Sequence, residues 1–521
     1  MLTLEGLHGL GGAQVPVREL VELNKALQTQ GLYKATGGAN AGHPAAMGLG
    51  TGAADFTPLI PQSIQTVLDS ATFTESMVKF FRMLPKVPVG STVHEAIVMN
   101  EHGSLHLDPF ISEGGKNVRS SADYSRKTVN VKYLAELREI TDVATMVNTV
   151  GGGSVSKQGL ALETQAGTTS ILGKLERSLF WADSGSSDIH FDGIWKQLTQ
   201  TTFVGANQTV SPKVGANSNN YEDLQGSAVT SDKLMEALYR VYAAPNYGTP
   251  TSILVEPRTY ASLQSLAFSK ARWGLDAGAP QPITLYNGVL SVAGPTGAVP
   301  IISCPLLLPP QTPPTASVPA VDPTGLAAGG VAVLELAAGP LAASDYAGNG
   351  SNMQGLVDGV GTAVADSTAG TYRYKIVAVN ASGHGAATTT KSDDADNNTR
   401  AFKITITDNA LTKTNLYYRV YRTGKNEADV AGNYKWAFDA PAKAGGDTII
   451  IDDFSRLPGT APVFVLQATP DVMSWVQLLD FLRRPLAQTS TSVPFLLMLF
   501  GSPFVKVPTK NFVFGNAKLG V

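Results

Sequence analysis

The feature that most constrains this chain is a proline-rich stretch at residues 308–314 (LPPQTPP), where the character of the sequence changes. Proline keeps such a segment extended and semi-rigid, as expected of a spacer between folded units. Beyond it, to about residue 462, Ala, Gly, Thr and Asp dominate, and strand patterns alternate, most clearly in TYRYKIVAV at 371–379. Mixed helix and strand patterns return from residue 463. The sequence therefore predicts a β-sandwich inserted into an α+β protein.

Outside the insertion, the strongest pattern is a predicted helix at 157–181. Ile171, Leu175 and Leu179 recur at i, i+4 spacing and indicate one buried stripe. A second helix is predicted at 63–81, and a shorter one at 17–28. Three further helices are predicted: one that Ser231 caps, one that begins at Pro257, and one at 470–482. Strands are predicted at 252–255, 289–292, 299–304, 402–406, 416–421, 448–451, 495–500 and 512–514.

A long two-stranded excursion is predicted between these helices. Residues 87–99 form one strand and residues 128–133 the other, with Val129, Val131 and Tyr133 expected on one face and Thr128, Asn130 and Lys132 on the other. The roughly thirty polar residues between them are too many for a tight hairpin turn. We therefore expect an extended arm rather than a compact loop.

Composition excludes several classes of protein. The 521 residues are 43% hydrophobic and 16% charged, with a net charge of −3, so neither disorder nor a strongly basic nucleic-acid reader is indicated. The single cysteine, Cys304, lies in an apolar stretch and is expected to be a small buried residue, consistent with a reducing compartment. The N-terminal MLTLEGLHGL lacks the basic and apolar regions of a signal peptide, and the apolar run at 495–500 is too short to span a bilayer.

Motifs that could carry chemistry are weak. Gly167 and Gly173-Lys174 depart from a phosphate-binding loop in spacing and in the residue that follows, Leu175. Ser184, His190 and Asp192 crowd into one predicted turn, whereas a working triad draws its members from separate elements.

Two groups of residues could suggest a metal site. His94, Glu101, His102, His106 and Asp108 lie in predicted loop or strand, where their spacing gives no ligand geometry, so polar loop contacts are favoured. Paired carboxylates can bind calcium in β-modules, but Asp452-Asp453 is expected to be a solvated strand end. No catalytic, cofactor or metal residue is therefore predicted.

The order of these patterns resembles the major capsid fold of tailed bacteriophages, which encapsulins share. The resemblance is carried by FRMLPKVPVGSTV (81–93), SEGGKNVRSSADYSRKTVNVKYLAELREIT (112–141) and LERSLFWADSG (175–185). It implies an N-terminal arm at 1–55, a peripheral domain at 56–87 and 133–222 with its spine helix at 157–181, an extended β-loop at 88–132, an axial domain at 223–312 and a return to the peripheral and axial core at 463–521.

The inserted segment, 313–462, resembles a second family. GTYRYKIVAVNASGHGAATT (370–389) is similar to the last strands of a fibronectin type III or immunoglobulin-like domain, and NLYYRVYRTG (415–424) has the same character. About 75 residues follow that strand, whereas in such domains it stands near the end. The module is therefore expected to be permuted, doubled or only fibronectin-like.

The capsid resemblance implies a structural, non-enzymatic subunit that assembles with itself into pentamers and hexamers of an icosahedral shell around a phage DNA genome. It implies assembly in the host cytoplasm, scaffolding, portal and decoration proteins as partners, non-specific contact with packaged DNA, no cofactor and no membrane. The alternatives are a surface adhesin with fibronectin-like modules and a phage tail or baseplate protein. Within the extended β-loop, the residues expected to contact a neighbouring subunit are Glu113, Lys116, Arg119, Arg126 and Lys127; the alternative is a solvated loop.

Overall fold

The computed structural model describes a large share of the chain in separate stretches. These are residues 74–103, 110, 112–115, 119–141, 155–182, 184, 189–199, 221–273, 283–286, 289–316, 331–338, 352–353, 370–380, 383–388, 390–395, 399–407, 415–441, 448–452, 457–488 and 491–519. The predicted arm at 1–55, the helix at 17–28 and most of the helix at 63–81 lie outside them.

A four-stranded sheet and a long helix form the first half of the core. The sheet order is β1 (Lys86–Pro88), β19 (Met473–Pro485), β20 (Ser492–Val505) and β4 (Lys132–Thr141), with only the β1–β19 pair parallel. Helix α2 (Val155–Trp181) packs against it, and the predicted stripe of Ile171, Leu175 and Leu179 is buried, which confirms the helix predicted at 157–181. We call α2 the spine helix. Side chains of α2, of the short helix α3 (Ile194–Thr199) and of this sheet share one hydrophobic cluster.

Glu176 fixes the spine helix to the segment that precedes β1. Its buried carboxylate accepts hydrogen bonds from the backbone N–H groups of Lys79, Phe80 and Phe81, at 3.0, 2.6 and 2.8 Å. These are the orphan donors of the short helix α1 (Phe80–Met83). Burial nevertheless raises the pKa of Glu176 above its ordinary value.

A seven-stranded mixed sheet forms the second half of the core. Its order is β5 (Tyr221–Asp223), β21 (Phe512–Lys518), β18 (Thr460–Leu466), β6 (Ser252–Val255), β9 (Gly297–Ser303), β8 (Val289–Gly294) and β7 (Ile283–Tyr286). The central strands β6 and β18 are buried at every residue. Helices α4 (Ser231–Tyr242) and α5 (Pro257–Trp273) contact this sheet, α4 through Leu234, Leu238 and Val241. Cys304 follows β9 and is buried, as predicted.

The segment after the proline-rich stretch contains two four-stranded sheets. One is ordered β10 (Val331–Ala338), β14 (Thr399–Thr407), β17 (Thr448–Asp452) and β11 (Asn352–Met353), and the other β13 (Lys391–Ala395), β12 (Gly370–Asn380), β15 (Asn415–Arg422) and β16 (Lys435–Pro441). Ile404 and Ile406 of the first sheet join Tyr372, Tyr374 and Val420 of the second in one buried cluster. The predicted strand at 371–379 is confirmed, and the immunoglobulin-like identity of the segment stays a prediction.

The predicted helix at 470–482 is wrong, because this segment is the start of strand β19. Two register shifts interrupt its pairing with β20, between Gln477 and Leu479 and between Leu479 and Leu482. Such bulges break the two-residue alternation of a strand and leave apolar residues at spacings that resemble a helix. Sheet pairing on both sides then decides the conformation, and Trp475 and Val476 are fully buried.

Two smaller predictions also need correction. The described end of the helix at 63–81 is a 3-10 turn (Glu75–Met77), extended backbone at Val78, and then α1, because Glu176 caps a new helix there. The cap of α4 is Thr230, whose side chain accepts from the N–H of Lys233 at 3.4 Å, and Ser231 is already helical.

The predicted strands of the excursion are broken at two points. The strand at 87–99 divides into β1 and β2 (Val93–Glu101), and the one at 128–133 divides at Val131 into the end of β3 (Asp123–Asn130) and the start of β4. The side-chain alternation changes phase at Val131, so Tyr133 does not share the face of Val129 and is 59% exposed.

Candidate subunit-contact surface

Strands β2 and β3 form an antiparallel two-stranded ribbon that is separate from the two core sheets. The register runs from Val93 opposite Asn130 to Glu101 opposite Asp123, with one irregularity near the far end. Among the strands that the structure describes, these two pair only with each other. We call this hairpin, 93–130, the ribbon.

The inner face of the ribbon packs against the four-stranded core sheet formed by β1, β19, β20 and β4. Val129 and Ala96 pack against a small cluster formed by Val131, Val476 and Phe504. His94 meets the Phe504 ring edge-on at 5.9 Å. Lys127 donates from Nζ to the carbonyl oxygen of Lys506 at 2.7 Å. These contacts fix the direction in which the base of the ribbon leaves the core.

The outer face of the ribbon is exposed and substantially apolar. Val93, Ile97, Met99 and Tyr124 are 46%, 72%, 44% and 61% exposed, and Met99 lies directly opposite Tyr124. Single exposed apolar residues are ordinary, but several on one face of a thin ribbon mark an interaction surface. The sequence of this strand, VHEAIVM (93–99), already indicates such a surface. Its apolar residues fall on both faces, which is typical of a strand that is covered on both sides.

The five predicted contact residues have different surroundings. Arg126 forms an exposed ion pair with Glu95 at 3.4 Å on the outer face. Glu113 lies in an exposed turn and Arg119 is exposed beyond it. Lys127 points to the inner face, where it contacts its own chain, and Lys116 lies outside the described residues.

The crowded Ser, His and Asp residues do not form a nucleophilic array. Asp192 accepts a hydrogen bond from the backbone N–H of Ser184 at 2.9 Å and pairs with Lys196 at 2.8 Å. Burial raises the pKa of Asp192, but the hydrogen bond and charge of Lys196 outweigh it and hold that pKa below its ordinary value. His190 instead meets the ring of Tyr417 at 6.2 Å. The arrangement closes the turn after the spine helix.

The prediction that Asp452 is a solvated strand end is wrong. Its side chain is buried, accepts a hydrogen bond from the Tyr374 hydroxyl at 2.8 Å and pairs with the buried Arg422 at 2.6 Å. The side chain therefore neutralises an arginine inside the inserted segment.

Within the residues that the structure describes, no cluster of three His, Cys, Asp or Glu side chains could hold a metal ion. His106 and Asp108 lie outside those residues. Among the described helices, none is long and apolar enough to cross a membrane.

Sequence comparison finds relatives over most of the chain. A relative from Enterococcus phage phiEF24C is 23% identical over 466 residues, which cover 88% of this chain and 89% of that protein. The major capsid proteins of Staphylococcus phage S25-3 and Staphylococcus phage K are 22% identical over 457 residues, covering 84% of this chain and 86% of each relative. No family model matches the sequence.

Solved structures with a partial likeness include the capsid of a native GTA particle (TM-score 0.41, 9% identity) and the capsid of cyanophage P-SCSP1u (TM-score 0.39, 10% identity). The first match covers 89% of this chain and 98% of the solved chain, and the second 89% and 94%. The SrpI encapsulin of Synechococcus elongatus has a TM-score of 0.37 at 9% identity, covering 89% and 95%.

The sequence relatives are phage capsid proteins by name and align with 84–88% of this chain, and the fold of the chain is of the mixed α+β class. At 22–23% identity over most of its length, the chain is similar to the major capsid proteins of phages. It is a structural subunit of the head shell, located in the virion, and the adhesin and baseplate alternatives are set aside.

Proposed function

We propose that this subunit closes into pentamers and hexamers, that these rings tile an icosahedral shell around phage DNA, and that the ribbon lies on an adjacent subunit. The observation that carries this proposal is the exposed apolar outer face of the ribbon. A two-stranded ribbon is marginal in water on its own, so a surface of this kind gains stability from a second partner.

The charges of the ribbon would set the register of that contact. Glu113, Arg119 and the Arg126–Glu95 pair present both signs beside the apolar face. Charges at the rim of an interface contribute specificity and association rate more than affinity. Ile97, which is 72% exposed, would lie near the centre of the buried area.

The test is the substitution Ile97→Lys, and Val430→Lys is the matched control. Val430 is also exposed, at 56%, but it lies in a turn of the inserted segment. We expect Ile97→Lys to reduce particle formation at least tenfold, measured by light scattering, because a lysine cannot be buried without its charge. The melting temperature of the unassembled subunit should stay within about 2 °C.

Val430→Lys should leave both assembly and melting unchanged. Normal assembly of Ile97→Lys would remove the ribbon from the subunit contact. An equal loss of stability in the unassembled subunit would instead place Ile97 in an internal contact.

The inserted segment, 313–462, would project from the shell rather than take part in its lattice. Its sheets have their own buried cluster, and its two connections to the core lie close in sequence to β9 and β18. Deleting residues 316–460 and joining the ends with a Gly/Ser linker should leave particles of the same lattice by electron microscopy. Insoluble protein from repeated attempts, with the full-length chain soluble in parallel, would assign the segment to the shell core.

The role is structural and uses no catalysis. Partners beyond other copies of this chain would be scaffolding, portal and decoration proteins, with non-specific contacts to DNA. Assembly would take place in the host cytoplasm. Co-expression with a scaffolding protein should raise the yield of closed particles, and identical yields with and without it would remove that partner.

A further inference from the structure

A cavity of about 300 Å³ lies where the shell core meets the inserted segment. The end of the spine helix contributes Arg177 and Trp181, the following turn contributes His190, and strands β15 and β16 contribute Tyr417, Arg419 and Asp439. Aromatic rings form much of its wall, and Trp181 also meets the Trp436 ring edge-on at 4.7 Å. The cavity is thus concave, largely apolar and lined by a few charged groups, as small-ligand sites are.

One of the two arginines already has its counter-ion. Arg419 donates from Nε and Nη2 to the two carboxylate oxygens of Asp439, at 2.8 and 2.9 Å. The indole N–H of Trp436 donates to the same carboxylate at 2.9 Å. Asp439 is therefore held by Arg419 and Trp436 and forms no ion pair with Arg177.

Arg177 has no such partner. Its Nε is buried without a hydrogen-bond acceptor, and among the residues that the structure describes no carboxylate forms an ion pair with it. Burial, followed by the nearby positive charge of Arg419, lowers its pKa. The nearby carboxylate of Asp439 opposes this lowering, but it is already paired with Arg419. A guanidinium in a protein keeps its proton, so the site holds a partly buried cation that has no ion-pair partner among the described residues.

We propose that this cavity binds an oxyanion, a phosphate or carboxylate group, through the guanidinium of Arg177. The planar fork of an arginine matches two oxygens of such a group, and the aromatic walls would exclude competing water. The anion would also relieve the repulsion between Arg177 on the spine helix and Arg419 on the inserted segment. Binding would therefore strengthen the junction between the shell core and the insertion, independently of how subunits contact one another.

Inorganic phosphate is the probe, titrated into the full-length unassembled subunit by calorimetry at constant ionic strength. Wild type should bind about one phosphate per chain, and Arg177→Met should raise the dissociation constant at least tenfold, roughly the loss expected for a charge-assisted hydrogen bond. Arg484→Met is the matched control, because Arg484 is exposed on β19. It should change the constant less than about twofold.

A second readout separates binding from folding. Without phosphate, Arg177→Met should melt no lower than wild type, because it removes an unpaired buried charge. With saturating phosphate, only wild type and Arg484→Met should gain melting temperature. Should Arg177→Met fail to fold, Arg177→Lys keeps the charge without the fork and should bind phosphate more weakly than wild type.

Repeating the titration on assembled particles identifies the source of the anion. Phosphate binding in both subunit and particle indicates a free small anion. Binding in the subunit that is lost in the particle indicates that a carboxylate of a neighbouring copy fills the cavity. Wild-type subunit that binds neither phosphate nor acetate, or that binds them as Arg177→Met does, would overturn the proposal.

Discussion

The seven-stranded sheet and the ribbon show two opposite ways of using β-structure in one chain. In the sheet, β6 and β18 are buried at every residue, paired on both edges and covered by helices. In the ribbon, each strand has one partner, the inner face is half-buried and the outer face is exposed. The strands of the sheet are therefore enclosed within the chain, whereas the strands of the ribbon leave one face open.

This difference separates stability from assembly. Burial within the chain makes the sheet independent of any other molecule. The ribbon has no third strand among the described strands, and only its inner face packs on the core, so its outer face depends on a partner. Substitutions in the core should therefore act on the folded subunit, and substitutions in the ribbon on the particle.

The largest effect is expected at Phe464 in β18. Its ring is fully buried, 5.8 Å from the Phe180 ring and 6.3 Å from Trp195. Phe464→Ala should lower the free energy of unfolding by about 3–5 kcal/mol, because it removes apolar area and leaves a cavity. Urea unfolding of the unassembled subunit measures this. A loss below about 1 kcal/mol would contradict the description of this sheet as the stable core.

A smaller and pH-dependent effect is expected at Glu136 on β4. Burial raises its pKa, but hydrogen bonds and charges from Lys174 and Arg138 outweigh burial and hold the pKa below the ordinary value of 4.5. A carboxyl whose pKa is lowered by folding stabilises the protein above its unfolded pKa and loses that effect as the pH falls.

Glu136→Gln should therefore cost about 1–2 kcal/mol at pH 7, and the difference from wild type should shrink as the pH falls below about 4.5. Unfolding at pH 7 and pH 4 gives the comparison. Glu163→Gln is the control, since Glu163 is 42% exposed and lies 3.5 Å from Arg138. A difference that grows on acidification would show that Glu136 is not held by these cations.

The smallest effect on the subunit is expected at Arg126 of the ribbon. Its pair with Glu95 is 68% and 51% exposed, and such pairs contribute about 0–1 kcal/mol. Arg126→Ala should therefore leave the free energy of unfolding almost unchanged while making assembly less dependent on salt concentration. A loss above about 2 kcal/mol would assign Arg126 to the fold instead of the surface.

Elements with regular periodicity could be predicted from the sequence. The stripe of Ile171, Leu175 and Leu179 indicates the spine helix, and the continuous apolar run of SILV indicates the buried strand at 252–255. These patterns are local, so they survive in a single sequence. The helix predicted at 470–482 failed because that segment is decided by bulged pairing with β20 and by pairing with β1, which is distant in sequence.

The surface was predicted less completely than the fold. The long polar connection between the two predicted strands indicated an extended arm, but the register that places Ile97, Met99 and Tyr124 on one open face follows only from pairing. Asp452 was misjudged for the same reason. Its partner Arg422 is 30 residues away in sequence and meets it only when the two sheets of the insertion face each other.

Amide hydrogen exchange of the unassembled subunit and of the closed particle tests the central claim most directly, because it reports every strand in both states. Strands β6 and β18 should exchange slowly in both. Strands β2 and β3 should exchange quickly in the subunit and at least tenfold more slowly in the particle, where a neighbouring subunit covers the ribbon. Equal exchange of the ribbon in the two states would contradict this account.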